Sequence, residues 1–208
     1  MRKQEVIRYF RTLSKIYERP CRIILSGAAL GTVYGGVRAT LDIDFALKIN
    51  ARSKVQKEKY WYEFTQASNE ISKRTRIAVQ YAEDIDRWSS ITFLDYQKHS
   101  RLFRRFGSIK LEILEPPYWA IGKLMRYLDS DIRDLIQIFK KTKASWSKIA
   151  QVSGTALRRS PKSTACFLFR KNVEDFFRSY GKSIWTRKFD FKAAIHSFHK
   201  AAHIQLKP

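Results

Sequence analysis

The 208-residue sequence predicts an α/β (α+β) protein, a short mixed sheet flanked by helices and followed by a C-terminal helical bundle. Three observations lead there. Over the first two thirds, short apolar or alternating runs are separated by longer stretches with apolar residues at helical spacing. Beyond residue 145 only the helical spacing continues. With 44% hydrophobic and 14% aromatic residues the chain can bury a core, so its formal charge of +22 is not that of a disordered basic tail.

The elements follow in order. Val6, Phe10, Leu13 and Tyr17 fall on one helical stripe and Pro20 cannot continue it, which predicts a helix over 3–18. Cys21 to Ser26 is a short apolar run that meets Gly27, Ala28 and Ala29 at once, the pattern of a buried strand turning into a helix. Asp42-Ile43-Asp44-Phe45-Ala46-Leu47 alternates at its start and predicts a second strand with both aspartates on one face. Tyr60, Phe64, Ala67 and Ile71 mark a helix over 57–75, while 76–106 carries no decisive pattern. A third strand, Ile109 to Leu114, is introduced by Gly107 and stopped by Pro116-Pro117. From Tyr118 to Phe139 helical spacing returns, as one long helix or as two separated near Asp129-Ser130. The basic, polar segment 140–145 divides the chain into 1–144 and 145–208.

Charge narrows the partners. The chain has 41 Lys+Arg against 19 Asp+Glu, and residues 141–208 hold 15 of the cations and 3 of the acids. A surplus of that size points to an anionic partner, nucleic acid or an anionic surface. No apolar run reaches the roughly 18 residues that span a bilayer, so no membrane partner is expected. The two distant cysteines, Cys21 and Cys166, fit reduced thiols and a cytoplasmic location.

The sharpest chemical feature is Asp42-x-Asp44. Two like charges side by side on a strand are costly unless a cation neutralises them, and Mg²⁺ (or Mn²⁺) is typically held by one or two carboxylates plus phosphate oxygens. Ser26-Gly27, fifteen residues upstream at a strand-to-helix turn, offers backbone N–H groups and a helix dipole suited to phosphate.

With these residues in view, Leu25-Ser26-Gly27-Ala28-Ala29-Leu30 and Arg38-Ala39-Thr40-Leu41-Asp42-Ile43-Asp44-Phe45 resemble the signature of the DNA polymerase beta-type nucleotidyltransferase superfamily. Ile109-Lys110-Leu111-Glu112-Ile113, Gly122-Lys123-Leu124 and Ile132-Arg133-Asp134-Leu135 extend the likeness to its AbiEii and MenT toxin-like branch, over roughly residues 21–140.

The resemblance implies a minimal nucleotidyltransferase fold and transfer of a nucleoside monophosphate from a triphosphate to a hydroxyl. It implies Asp42, Asp44 and Glu112 as metal ligands, Glu112 also helping to activate the attacking hydroxyl. Lys123 and Asp134 join the catalytic set, and Ser26, Gly27, Arg38, Thr40 and Lys123 face the triphosphate. A toxin or defence role with an antitoxin partner is implied as well. The family's usual order of glycines is altered here, Ser26 preceding Gly27.

Geometry sets a condition on the last pair. In one unbroken helix Lys123 and Asp134 would lie roughly 16 Å apart, so both reach one cleft only if the helix breaks. Asp131, three residues before Asp134, competes as the acid and reads as a solvated position. His196, His199 and His203 share a helical face and read as facing solvent or phosphate, since ligands of other types are lacking nearby. The acceptor expected from the charge is RNA, such as a tRNA end. Two further readings stay open: a catalytically inactive nucleotidyltransferase scaffold that binds nucleic acid, and transfer to a protein hydroxyl.

Overall fold

The computed structural model describes residues 1–204. The chain opens with α1 (Lys3–Ile16), β1 (Cys21–Leu25), α2 (Gly27–Val33), β2 (Asp42–Ile49), α3 (Lys54–Thr75) and β3 (Ala78–Ala82). Short 3₁₀ turns at Ile85–Trp88 and Tyr96–Lys98 lead to β4 (Ser100–Phe106) and β5 (Ile109–Leu114). Five helices complete it: α4 (Pro116–Arg126), α5 (Asp129–Thr142), α6 (Trp146–Arg159), α7 (Thr164–Trp185) and α8 (Phe191–Ala202). This is the α/β class that the sequence predicts. No helix among the described residues is long and apolar enough to cross a membrane.

Contacts group the described chain into two compact units. The first comprises Met1–Ile85 and Ser100–Leu114, and the second comprises Asp86–His99 and the chain from Glu115 onward. The boundary expected near residue 144 therefore falls inside the second unit, between α5 and α6.

In the first unit the five strands form one sheet in the order β3-β2-β1-β5-β4. β1 runs antiparallel to β2 and parallel to β5, β2 and β3 are parallel, and β4 returns antiparallel to β5. One face is apolar and covered by helices. Phe45 of β2 lies 5.7 Å from Phe10 of α1 and 6.1 Å from Phe64 of α3, and stacks on Tyr81 of β3 at 5.2 Å. Aromatic rings in such edge-on and offset arrangements add to the area that they bury. α1 docks through Val6, Phe10 and Leu13 of the stripe legible in the sequence, joined by Tyr9.

Residues 76–106, without a decisive pattern, supply both edge strands. β3 has only one buried residue, and β4 carries a register shift between Leu102 and Arg104 that interrupts its alternation.

In the second unit, Pro116-Pro117 open α4, where a missing N–H costs nothing. The expected helix break is present but earlier: Tyr127 takes a left-handed conformation at φ 53° and ends α4, and the extended Leu128 precedes α5. Gly154 of α6 lets α8 approach closely, since a Cβ there would collide with the Phe198 carbonyl. Trp185 and Phe189 stack at 5.5 Å and join Phe177 in an aromatic core.

The histidines correct an expectation. His199 is buried, with its Nε2 2.6 Å from a Glu174 carboxylate oxygen, and does not face solvent. Packing of α8 on α6 buries His199 beside Phe198, while His196 and His203 are exposed as expected.

Candidate functional site

β2 places the aspartates. Register pairs Ile24 of β1 with both Ala46 of β2 and Glu112 of β5, so these three face one side of the sheet. Asp44 and Asp42, two and four residues from Ala46, face the same side. Asp42, Asp44 and Glu112 thus share the sheet face opposite the Phe45 cluster, together with Arg22 and Lys110.

The turn from β1 into α2 meets Asp44. The Ser26 N–H donates to the Asp44 carbonyl at 2.8 Å, extending the β1–β2 ladder by one bond. Gly27 then adopts φ +57°, and a Cβ built on it would collide with the Asp44 carboxylate. Both the left-handed backbone and the close approach require glycine at this position. This accounts for the order Ser26-Gly27: the second position of the turn is the one seated on the carboxylate. Ser26 is nearly buried, and its side chain makes no capping bond to α2. α2 spans seven residues, so the turn contributes shape more than dipole.

Thr40 and Arg38 separate in role. Thr40 is 4% exposed, and its Oγ1 donates across 3.0 Å to the Asp42 carboxylate, so it orients that aspartate. Arg38 is exposed and lines a cavity of about 400 Å³ with Arg2, Lys3, Gly35 and Gly36.

Glu112 has partners that the sequence did not suggest. Its Oε2 accepts from Arg22 Nη2 at 2.7 Å and from Ser100 Oγ at 2.6 Å. Burial alone would raise its pKa, but the hydrogen bonds from Arg22 and Ser100 and the charges of Arg22 and Lys110 hold it below the ordinary carboxylate value. β1 lies between β5 and β2, which sets the Glu112 and Ala46 backbones roughly 10 Å apart at two strand spacings. Asp44 is two residues further along. The structure therefore keeps Asp42 and Asp44 on one strand and Glu112 two strands away. Among the described residues no three His, Cys, Asp or Glu side chains form a group that could hold a metal ion.

Lys123 and Asp134 belong to the second unit, where they meet each other. The Tyr127-Leu128 break folds α5 back, and Lys123 Nζ donates to Asp131 Oδ1 at 2.8 Å and Asp134 Oδ2 at 2.7 Å. Arg126 completes the cluster with bonds of 3.1 and 2.8 Å to the two Asp131 oxygens. Lys123 is 2% exposed and lies 5.5 Å from the Trp119 ring centroid.

Asp131, expected to be solvated, is 1% exposed. Burial would raise its pKa, but hydrogen bonds from Arg126 and Lys123 outweigh that and lower it. The expectation treated α5 as a free surface helix, whereas the break turns Asp131 and Asp134 toward Lys123 of α4.

The signal for Arg22 was present in the sequence as the one charged residue in the apolar run Cys21–Leu25. Comparison of the chain with protein-family models, with curated proteins and with solved structures finds no match in any of the three.

Proposed function

We propose that the chain is a metal-dependent nucleotidyltransferase that moves a nucleoside monophosphate from a nucleoside triphosphate to a hydroxyl of RNA. The observation that carries this reading is the seating of Gly27 on the Asp44 carboxylate, with Thr40 orienting Asp42. With no side chain at Gly27, the turn backbone packs directly against the Asp44 carboxylate, and two carboxylates on one strand face are costly unless a cation neutralises them.

The residues present fit Mg²⁺. Two oxygen-donor carboxylates on one face match an ion that takes one or two protein carboxylates and completes its shell with phosphate and water. Asp42 and Asp44 would hold it, and it would neutralise the charge that develops on the phosphates. In the reaction the acceptor oxygen bonds to the α-phosphorus and the α–β anhydride breaks. Pyrophosphate leaves, and the hydroxyl proton passes to water. The protein's part is positioning and charge: Thr40 sets Asp42, and the Gly27 turn, packed against the Asp44 carboxylate, sets Asp44. Lys123, Asp131 and Asp134 hold the α4–α5 turn.

A second reading is favoured by one observation. Glu112 is engaged by Arg22 and Ser100, and no three-ligand metal group exists among the described residues, as in a scaffold that binds nucleic acid without turnover. Each of the four α-labelled nucleoside triphosphates, given with Mg²⁺ to total RNA and to cell protein, separates the two. The proposal expects label in RNA from the native chain and at least about a hundredfold less from Asp44→Asn, the scale of losing a charge-stabilising group. Label in protein alone, or equal label from Asp44→Asn, would overturn it.

A further inference from the structure

The charge surplus has a structured concentration in the first unit. β4 is the outer strand of the sheet, and residues 100–111 hold Arg101, Arg104, Arg105 and Lys110 with no acidic residue. Arg101, Arg104 and Arg105 are all exposed, and none of them has a carboxylate partner among the described residues. Three cations within about 13 Å of strand repel one another in the absence of counter-charge.

Two contacts join this edge to the cavity that Arg38 lines. Lys3, which lines the cavity, sits 5.4 Å from the ring centroid of Phe103, the β4 residue at the register shift. The Arg101 guanidinium lies 5.8 Å from the ring centroid of Tyr34, the residue before Gly35 of the cavity wall. Arg38, Arg2, Lys3, Phe103 and Arg101 are therefore linked into a basic track with an aromatic ring in it, which Arg104 extends on Arg101's face of β4, while Arg105, paired in register with Lys110, flanks the same strand edge from the other face.

We propose that this track, on the first unit, binds single-stranded RNA, with the phosphate backbone along the β4 arginines and the cavity and a base against Phe103. The charge is complementary to a polyanion, and a ring among cations suits an unstacked base. An acidic protein segment pairing with the β4 edge would not need the cavity cations. The inference takes RNA from the acceptor class proposed above and places it on a different part of the chain from the cationic C-terminal third. Binding is measured without triphosphate or Mg²⁺, so it can fail while transfer stands, and transfer can fail while it stands.

The test is fluorescence anisotropy with a labelled, mixed-sequence 20-nucleotide RNA between 50 and 200 mM KCl. It compares the native chain, Arg101→Gln/Arg104→Gln/Arg105→Gln, and Lys182→Gln/Lys188→Gln/Lys192→Gln in the second unit. The three arginines are exposed and have no carboxylate partner among the described residues, so their glutamines break no ion pair. The expected result is at least about a tenfold weaker Kd at 50 mM for the β4 variant, with its salt slope smaller by about 2, from roughly 0.7 per phosphate contact. The lysine variant should lose less on both measures. Native affinity in the β4 variant, or equal losses in the two variants, would overturn the proposal. Native affinity with new self-association in the β4 variant would also overturn it, showing that the arginines only guard the strand edge.

Discussion

Replacing Gly27 by alanine tests the geometry on which the functional reading rests, and the molecule supplies its own control. Gly27 and Gly107 both have positive φ, +57° and +53°. A left-handed alanine costs about 1–2 kcal/mol, offset by about 0.4–1 kcal/mol because alanine also restricts the unfolded chain. Strain alone therefore destabilises each variant by about 1 kcal/mol. The surroundings differ: at Gly107 a Cβ would find Ser14 O at 3.7 Å and Ser14 Cβ at 3.8 Å, ordinary contact, whereas at Gly27 it would collide with the Asp44 carboxylate. Forcing Asp44 off its rotamer adds about 0.5–1.5 kcal/mol. A displacement near 1 Å at a reacting centre costs about a hundredfold in rate.

Urea unfolding should then show Gly27→Ala losing about 2 kcal/mol and Gly107→Ala about 1 kcal/mol. Nucleotide transfer should fall about a hundredfold in the first and stay within about twofold in the second. Equal destabilisation together with retained transfer in Gly27→Ala would refute the argument that the turn is fitted to Asp44.

Three other outcomes follow from the same structure. Lys123→Met removes the cation between two buried carboxylates, so the second unit should lose about 3–5 kcal/mol in denaturant unfolding; a loss below about 1 kcal/mol would show the cluster to be dispensable. Thr40→Val keeps the volume but frees the Asp42 carboxylate, and should cost about 1 kcal/mol in stability while transfer drops; unchanged transfer would deny Thr40 its orienting role. Because the folded pKa of Glu112 lies below its unfolded value, its stabilising contribution is full above about pH 4.5 and is lost as pH falls through the lower folded value. Unfolding free energy measured from pH 7 to pH 3 should fall less steeply in Glu112→Gln than in the native chain, and parallel curves would contradict the Arg22–Ser100 pairing.

Much of the fold was legible because punctuation and periodicity agreed. β5 lies between Gly107 and Pro116 with apolar alternate residues, and α1 shows its stripe and is followed by Pro20. β4 was not legible, since Ser-Arg-Leu-Phe-Arg-Arg-Phe puts arginine on both faces and a register shift spoils the period of two. Of the two readings of 118–139, one long helix or two, the second put the break near the cap-forming Asp129-Ser130. It falls instead at Tyr127, whose left-handed conformation no glycine or asparagine announces.

For the site, the Asp42–Asp44 face followed from strand geometry alone. The collision at Gly27, the Thr40 bond and the Glu112 pairing depend on how strands register across the sheet. Asp131 was misread because its burial exists only after the chain folds back on Lys123 and Arg126.

The most direct measurement follows both ends of the triphosphate in one reaction, with label at the α-phosphorus and, separately, at the γ-phosphorus, in the presence of Mg²⁺ and RNA. The account predicts α-label covalently attached to RNA in step with γ-label released as pyrophosphate, and loss of both in Asp44→Asn. Release of γ-label as inorganic phosphate without α-label in RNA, or identical products from Asp44→Asn, would contradict it.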